Sequence, residues 1–169
     1  IRAASEVSGD TEIWIFESQA ILGEFPDAPE ALCASIEVDV QPKNRRDKID
    51  AIDGVLGELS LFHQTHGFYV HGLPIDETAT LPPGWQHRVT AVYDEIATNG
   101  KTGWCVEVHD LAASKLAAFR EKDRDFVRIL LIEEMINANT FIERVNMLRI
   151  DKSLRNRLIQ WIRITAEEL

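Results

Sequence analysis

Cysteine is nearly missing from this chain. Cys33 and Cys105 are the only two in 169 residues, and they sit at no metal-type spacing. That excludes a disulfide framework and makes a reduced, cytoplasmic protein the default expectation. No run of about 18 apolar residues occurs, so no membrane span is expected. Residues 1–8 are too polar for the core of a signal peptide. There is no Gly-x-Gly-x-x-Gly or Walker motif, and no Ser–His–Asp arrangement follows from spacing. Basic residues are also scarce: 18 Lys and Arg stand against 28 Asp and Glu, for a net charge of −10. Nothing is basic enough to declare a nucleic-acid binder from composition.

The acid that is present is unevenly placed. Residues 1–42 carry nine acidic side chains against the single base Arg2, whereas residues 143–163 carry six bases against Glu143 and Asp151. An acidic centre opposite a basic helical end suits metal binding combined with contact to a polyanion; ordinary solvated helix faces give the same pattern. At this length the chain reads as one α/β domain with a helical appendage.

The stretch Ser35–Val40 organises the reading. Ile36, Val38 and Val40 alternate with Glu37 and Asp39, the period-two mark of a strand with one face buried. Glu37 and Asp39 then point to one side, roughly 7 Å apart along the strand. Two carboxylates on one face repel unless water or a cation lies between them. Two hard oxygen ligands on a rigid strand suit Mg²⁺, while an edge strand with two solvated acids is the blander reading of the same hexapeptide. Upstream, Thr11–Phe16 reads as a buried strand, followed by Glu17-Ser18-Gln19-Ala20-Ile21-Leu22 as a turn entering a short helix.

In order, the chain predicts a helix tail ended by Gly9, the first strand, a loop over Gly23–Pro29, the acidic strand, and an amphipathic helix over Asp47–Leu59. A short strand at Phe68–His71 could lie beside Glu37 and Asp39, and a strand-like piece is expected at Thr78–Leu81. Strands at Val89–Ile96 and Thr102–Val108 are joined by the hairpin dipeptide Asn99-Gly100. Beyond that only helices are expected: one from His109 or Asp110 through Phe119, one from Asp123, one over Thr140–Leu148, and a last one capped by Asp151. The expected organisation is a mixed-sheet α/β core over 1–108, with an all-helical region over 109–169 packed on it. His63 and His66 have a metal-like i, i+3 spacing, but no Cys or further acid completes a set.

A strand, a small-residue turn, a helix and a strand with an acid-x-acid pair resemble the nucleotidyltransferase superfamily with the polymerase-beta-like core. Ser18, Glu37 and Asp39 match its pattern, while Glu17 stands where the turn glycine is expected. The stretch Val108-His-Asp-Leu-Ala-Ala-Ser-Lys-Leu116 with Arg120-Glu-Lys-Asp-Arg-Asp-Phe126 looks like the later motifs of AbiEii-type toxins and, more closely, the nucleotidyltransferase-like DUF6036 group, over nearly the whole chain.

The resemblance implies that Glu37 and Asp39 hold Mg²⁺ on an NTP substrate. It also implies that Ser18 and the helix behind it cradle phosphate, and that Lys115 reaches the phosphates with an active-site role for Asp123. Read from the residues alone, Lys115 is equally a snorkelling flank residue. Asp123 is a helix cap, or it orients Lys115 or Arg120. Arg120 and Lys122 contact triphosphate or RNA backbone, or are simply solvated. The implied activity is transfer of a nucleotide to an RNA or protein acceptor, in a toxin–antitoxin or phage-defence setting. The alternative is a catalytically impaired relative that binds nucleic acid or a cognate partner protein. Two features favour that alternative. Glu17 replaces glycine, and no acid occupies 68–71, where the superfamily's third carboxylate is expected; Asp76 and Glu77 come only after Pro74. Glu17 would either repel a triphosphate or serve as an unusual third metal ligand.

Overall fold

A computed structural model describes residues 1–168. It forms two compact units: Ile1–Ala79 with Val89–Val106, and Thr80–Arg88 with the chain from Glu107 onward.

The first unit holds the sheet. Helix α1 (Arg2–Ser8) ends at Gly9 in the left-handed conformation, and strand β1 (Glu12–Phe16) follows. A 3₁₀ helix over Ser18–Gly23 and the single turn α2 (Glu30–Cys33) lead to β2 (Glu37–Pro42). Helices α3 (Ile49–Leu56) and α4 (Leu61–His66) precede β3 (Tyr69–Gly72), which is followed by the turn of helix α5 (Ile75–Thr78). Strands β4 (Thr90–Tyr93) and β5 (Thr102–Cys105) complete it. The sheet order is β3-β2-β1-β5-β4. The β1–β5 and β2–β3 pairs are parallel; β1–β2 and β4–β5 are antiparallel. This is an α/β fold on a mixed sheet.

The central strand explains itself. Ile13, Ile15 and Phe16 of β1 are all buried, as a strand with neighbours on both sides requires. Gly72 on β3 brings α3 in close, since a Cβ there would meet the Ile49 carbonyl oxygen at 2.4 Å. Asn99 and Gly100 both take positive φ, as the hairpin dipeptide predicts. The loop is longer than two residues, and within it the Asp94 carboxylate accepts from the backbone N–H groups of Ile96 and Ala97.

Several expectations are corrected. The acidic strand is internal, not an edge strand, because β3 and β1 flank it. Ile36 lies outside it and is exposed, and Gln41 is buried beside Val40, so the simple alternation fails. Covered inner strands lose the in–out pattern that half-exposed ones show. The helix expected over Asp47–Leu59 stops at Leu56, and Leu59 takes a positive φ before Ser60 caps α4 through the His63 N–H. The strand-like piece at Thr78–Leu81 is absent, since α5 ends there and the chain continues in loop.

The second unit is helical: a 3₁₀ turn at Trp85–His87, then α6 (Val108–Ala118), α7 (Glu121–Ile132), α8 (Ala138–Met147) and α9 (Lys152–Glu167). Helix α6 packs on α7 and α8, and α8 packs on α9. Leu111, Leu116, Val127, Leu130, Phe141, Val145, Leu158 and Ile162 are fully buried. The cap of α6 is Glu107, which accepts from the Asp110 N–H; neither His109 nor Asp110 caps it. Asp151 caps α9 as its sequence position predicts.

Asp110 has no exposed surface. Its Oδ2 accepts from Arg88 Nε at 2.8 Å, and its Oδ1 lies 3.0 Å from Arg144 Nε as an ion pair not aligned for a hydrogen bond. Burial raises the Asp110 carboxyl above the ordinary carboxylate range, against the opposing pull of Arg88 and Arg144. Arg88 also donates to the carbonyls of Pro82 and Pro83. That explains why residues 80–88 belong with the helices and not with the sheet.

Candidate functional site

The sheet register builds the site. Asp39 pairs with His71 and Glu37 with Tyr69 across the parallel β2–β3 ladder. Paired residues share a face, as do residues two apart along a strand. Glu37, Asp39, Tyr69 and His71 therefore project from one face. His71 Nδ1 lies 2.6 Å from Glu37 Oε1 and 3.5 Å from Asp39 Oδ1. One donor atom from each of Glu37, Asp39 and His71 falls within 4.8 Å of the others, the only such grouping of metal-type side chains among the described residues. The Asp39 side chain is 12% exposed; those of Glu37 and His71 are 35% and 34% exposed. The anchor is thus buried and the mouth open.

Behind His71, helix α3 presents Asp53, whose Oδ1 lies 3.8 Å from Nε2. The close approach at Gly72 sets that helix in place. The local field is negative. The Tyr69 hydroxyl is pushed above its ordinary value first by desolvation and then by the charges of Glu37, Glu58 and Asp39.

The geometry fits a divalent cation. Donors adjacent in an octahedron of about 2.1 Å bonds lie about 3.0 Å apart. The Asp39–His71 spacing of 3.5 Å is close to that, and the Glu37–His71 contact of 2.6 Å would have to open by a few tenths of an ångström.

The other predicted residues fall elsewhere. Ser18 opens the 3₁₀ helix of six residues that follows β1. Glu17 has φ 59° and ψ −161°, a region that is essentially glycine-only. Asp76 and Glu77 pair with Arg46. His63 Nδ1 accepts from the Leu59 N–H, and the His66 ring packs on Phe62 and Phe68.

Lys115, Arg120 and Asp123 gather in the helical unit. Lys115 is 4% exposed, so it does not snorkel; its Nζ lies 3.9 Å from Asp123 Oδ1 and 4.7 Å from the centre of the Phe126 ring. The N-cap of α7 is Arg120, not Asp123. Asp123 is buried inside the first turn of α7 and takes Arg120 through both oxygens, at 2.6 and 3.2 Å. Lys122 is exposed. At the basic end, Arg155 donates to the carbonyls of Leu148 and Ile150, and Arg157 lies over the Phe119 ring.

Nothing in the sequence points to Asp53, because its helix reads as an ordinary amphipathic one. His71 is legible as a neighbour of the acids, but only the register makes it their partner. No helix is long and apolar enough to cross a membrane among the described residues. No protein-family model, curated protein or solved structure matches the chain.

Proposed function

We propose that this chain is a nucleotidyltransferase-like protein that binds a divalent cation through Glu37, Asp39 and His71 and uses it to hold a nucleoside triphosphate for transfer to an RNA or protein hydroxyl. The observation that carries the reading is the convergence of these three donors on the strand pair that follows the β1 strand and its turn. When bound, the cation supplies charge neutralisation and orientation of the triphosphate. Mg²⁺ is the ion that the superfamily resemblance implies.

The protein's own groups do the positioning. Asp39 is fixed by an internal strand and by burial, and so offers its oxygen with little freedom to lose. Glu37 is half-exposed and is the mobile partner, hydrogen-bonded to His71 until a ligand takes its place. Ser18, at the turn after β1, is proposed to contact phosphate. Phosphate-binding roles for Lys115, Arg120 and Lys122, with Asp123 orienting the first two, rest on the resemblance alone; within the helical unit Asp123 pairs with both Lys115 and Arg120. The acceptor class and the toxin–antitoxin or phage-defence setting rest on the resemblance alone.

A second reading has its own observation. Glu17 brings a side chain and a negative charge to a turn whose backbone takes a glycine's conformation. If that carboxylate comes within about 4–6 Å of a bound phosphate at an effective dielectric near 20, the repulsion is on the order of 3 kcal/mol, enough to weaken binding about a hundredfold. The protein would then be an impaired relative acting as a binding module.

Thermal unfolding with a divalent cation and each NTP in turn separates the two. A nucleotide-binding enzyme gains roughly 2–3 kcal/mol at about a hundred times its dissociation constant. A response to cation but to no NTP, restored to NTP by Glu17→Gly, selects the second reading. No response to any cation refutes the metal site.

A further inference from the structure

The third donor beside the two acids is an imidazole, where a Mg²⁺ site made by carboxylates alone would place another oxygen. Mg²⁺ is hard, keeps its waters and takes carboxylate oxygens, whereas imidazole nitrogen raises affinity for first-row transition cations in the Irving–Williams order. The ring is held in the pose a ligand needs. Nδ1 faces both Glu37 and Asp39, and the far nitrogen faces the Asp53 carboxylate at 3.8 Å. A carboxylate behind the non-ligating nitrogen is the arrangement that fixes a metal-bound histidine's tautomer and strengthens it as a donor. Three acids around one imidazole, two of them on an internal strand, are poorly explained by stability: like charges brought together cost the fold.

Resting on the metal-site reading above, we infer that His71 makes this a transition-metal centre that selects Mn²⁺ or Zn²⁺ over Mg²⁺, with Asp53 as the positioning residue for the imidazole. Coordination places the Nε2 proton toward Asp53, closing the 3.8 Å gap to a hydrogen bond. The ion seated against Nδ1 takes over the role of the Glu37 hydrogen bond. The site then discriminates by donor chemistry and not by cavity size.

The test uses the untagged full chain with Mn²⁺ and Mg²⁺, in a buffer without nitrogen ligands. Mn²⁺ binding is followed by electron paramagnetic resonance, with Mg²⁺ as competitor. The expected result is a dissociation constant for Mn²⁺ at least about tenfold below that for Mg²⁺, with ¹⁴N modulation of the bound Mn²⁺ signal from one imidazole. His71→Asp should abolish the nitrogen signal and bring the two affinities within about threefold of each other. Asp53→Asn should weaken Mn²⁺ about tenfold and Mg²⁺ by a smaller factor, with circular dichroism confirming the fold of each variant. Equal affinities in the wild type overturn the inference while leaving the metal site standing. So does Mn²⁺ that Glu37→Gln releases yet that shows no nitrogen coupling. Absence of binding by either ion overturns the inference and the metal-site reading together.

Discussion

Glu17→Gly is expected to stabilise the protein, although it deletes a side chain and introduces the most flexible residue. The wild-type residue holds φ 59° and ψ −161° between β1 and the 3₁₀ helix. A residue with a Cβ in that region carries strain of order 1–3 kcal/mol. Glycine removes the strain, but it widens the unfolded ensemble at a cost of about 0.4–1 kcal/mol. Glu17 is half-buried and has interactions of its own to lose, so a net gain of about 1 kcal/mol is expected. For a chain of this size that corresponds to a rise in Tm of about 2–4 °C. Thermal unfolding followed by tryptophan fluorescence measures it. Glu17→Ala is the control, because alanine removes the charge and keeps the Cβ. If backbone strain is the cause, alanine gains nothing. If glycine and alanine stabilise equally, charge and not backbone conformation was the penalty. If glycine fails to stabilise at all, the turn is not strained and the argument fails.

Two further outcomes follow from the ionised groups. Asp110→Ala leaves Arg88 and Arg144 without their shared, fully buried carboxylate and should cost about 3–5 kcal/mol; a loss under about 1 kcal/mol by urea denaturation would show that the two arginines relax to solvent. Glu12 is held below the ordinary glutamate value of 4.5, first by the hydrogen bond from Lys43 and then by that from Asn44. A lowered folded-state value means the contribution is fully present above that ordinary value and is lost as pH falls through the folded one. The stability difference between wild type and Glu12→Gln should therefore be constant near pH 6–7 and shrink on acidification below 4.5; a gap independent of pH would show that the ionised carboxylate is not its cause.

What was legible in the sequence was periodicity and punctuation. The strand character around Val38, the apolar run Ile13–Phe16, Gly9, Asn99-Gly100 and Asp151 each carry a local cause, and each lies in the element or turn that cause dictates, although the in–out alternation of the acidic strand does not hold. The Asp47–Leu59 helix overran because its apolar spacing continues past Leu56, while the cap at Ser60 restarts the chain as α4. Glu107 was hidden as a cap because glutamate is not among the usual capping residues. The site was half legible. The spacing of Glu37 and Asp39 put them on one face, but His71 joins them only through the β2–β3 register, and Asp53 only through the close packing that Gly72 permits. Register and helix–strand contact are long-range properties that no local pattern encodes.

The two departures from the superfamily pattern differ physically, and the difference bears on what the protein does. At the turn, glutamate occupies a backbone conformation that favours glycine, so local preference and global fold conflict. Nothing about a glutamate there improves contact with an anion. At β3 there is no such conflict. An imidazole takes the register position opposite Asp39, keeps a donor atom aimed at both acids, and has a carboxylate behind it. In the proposed site, the first departure opposes a phosphate contact and the second changes a ligand without removing it. Glu37, Asp39 and Asp53 around His71 form a cluster that repels itself when empty and is relieved by a cation. Cation binding is therefore the property with the firmer physical basis, and nucleotide binding the one exposed to loss. The two affinities have to be measured separately, because a protein that binds the metal and ignores every NTP is the outcome that Glu17 predicts for the impaired relative.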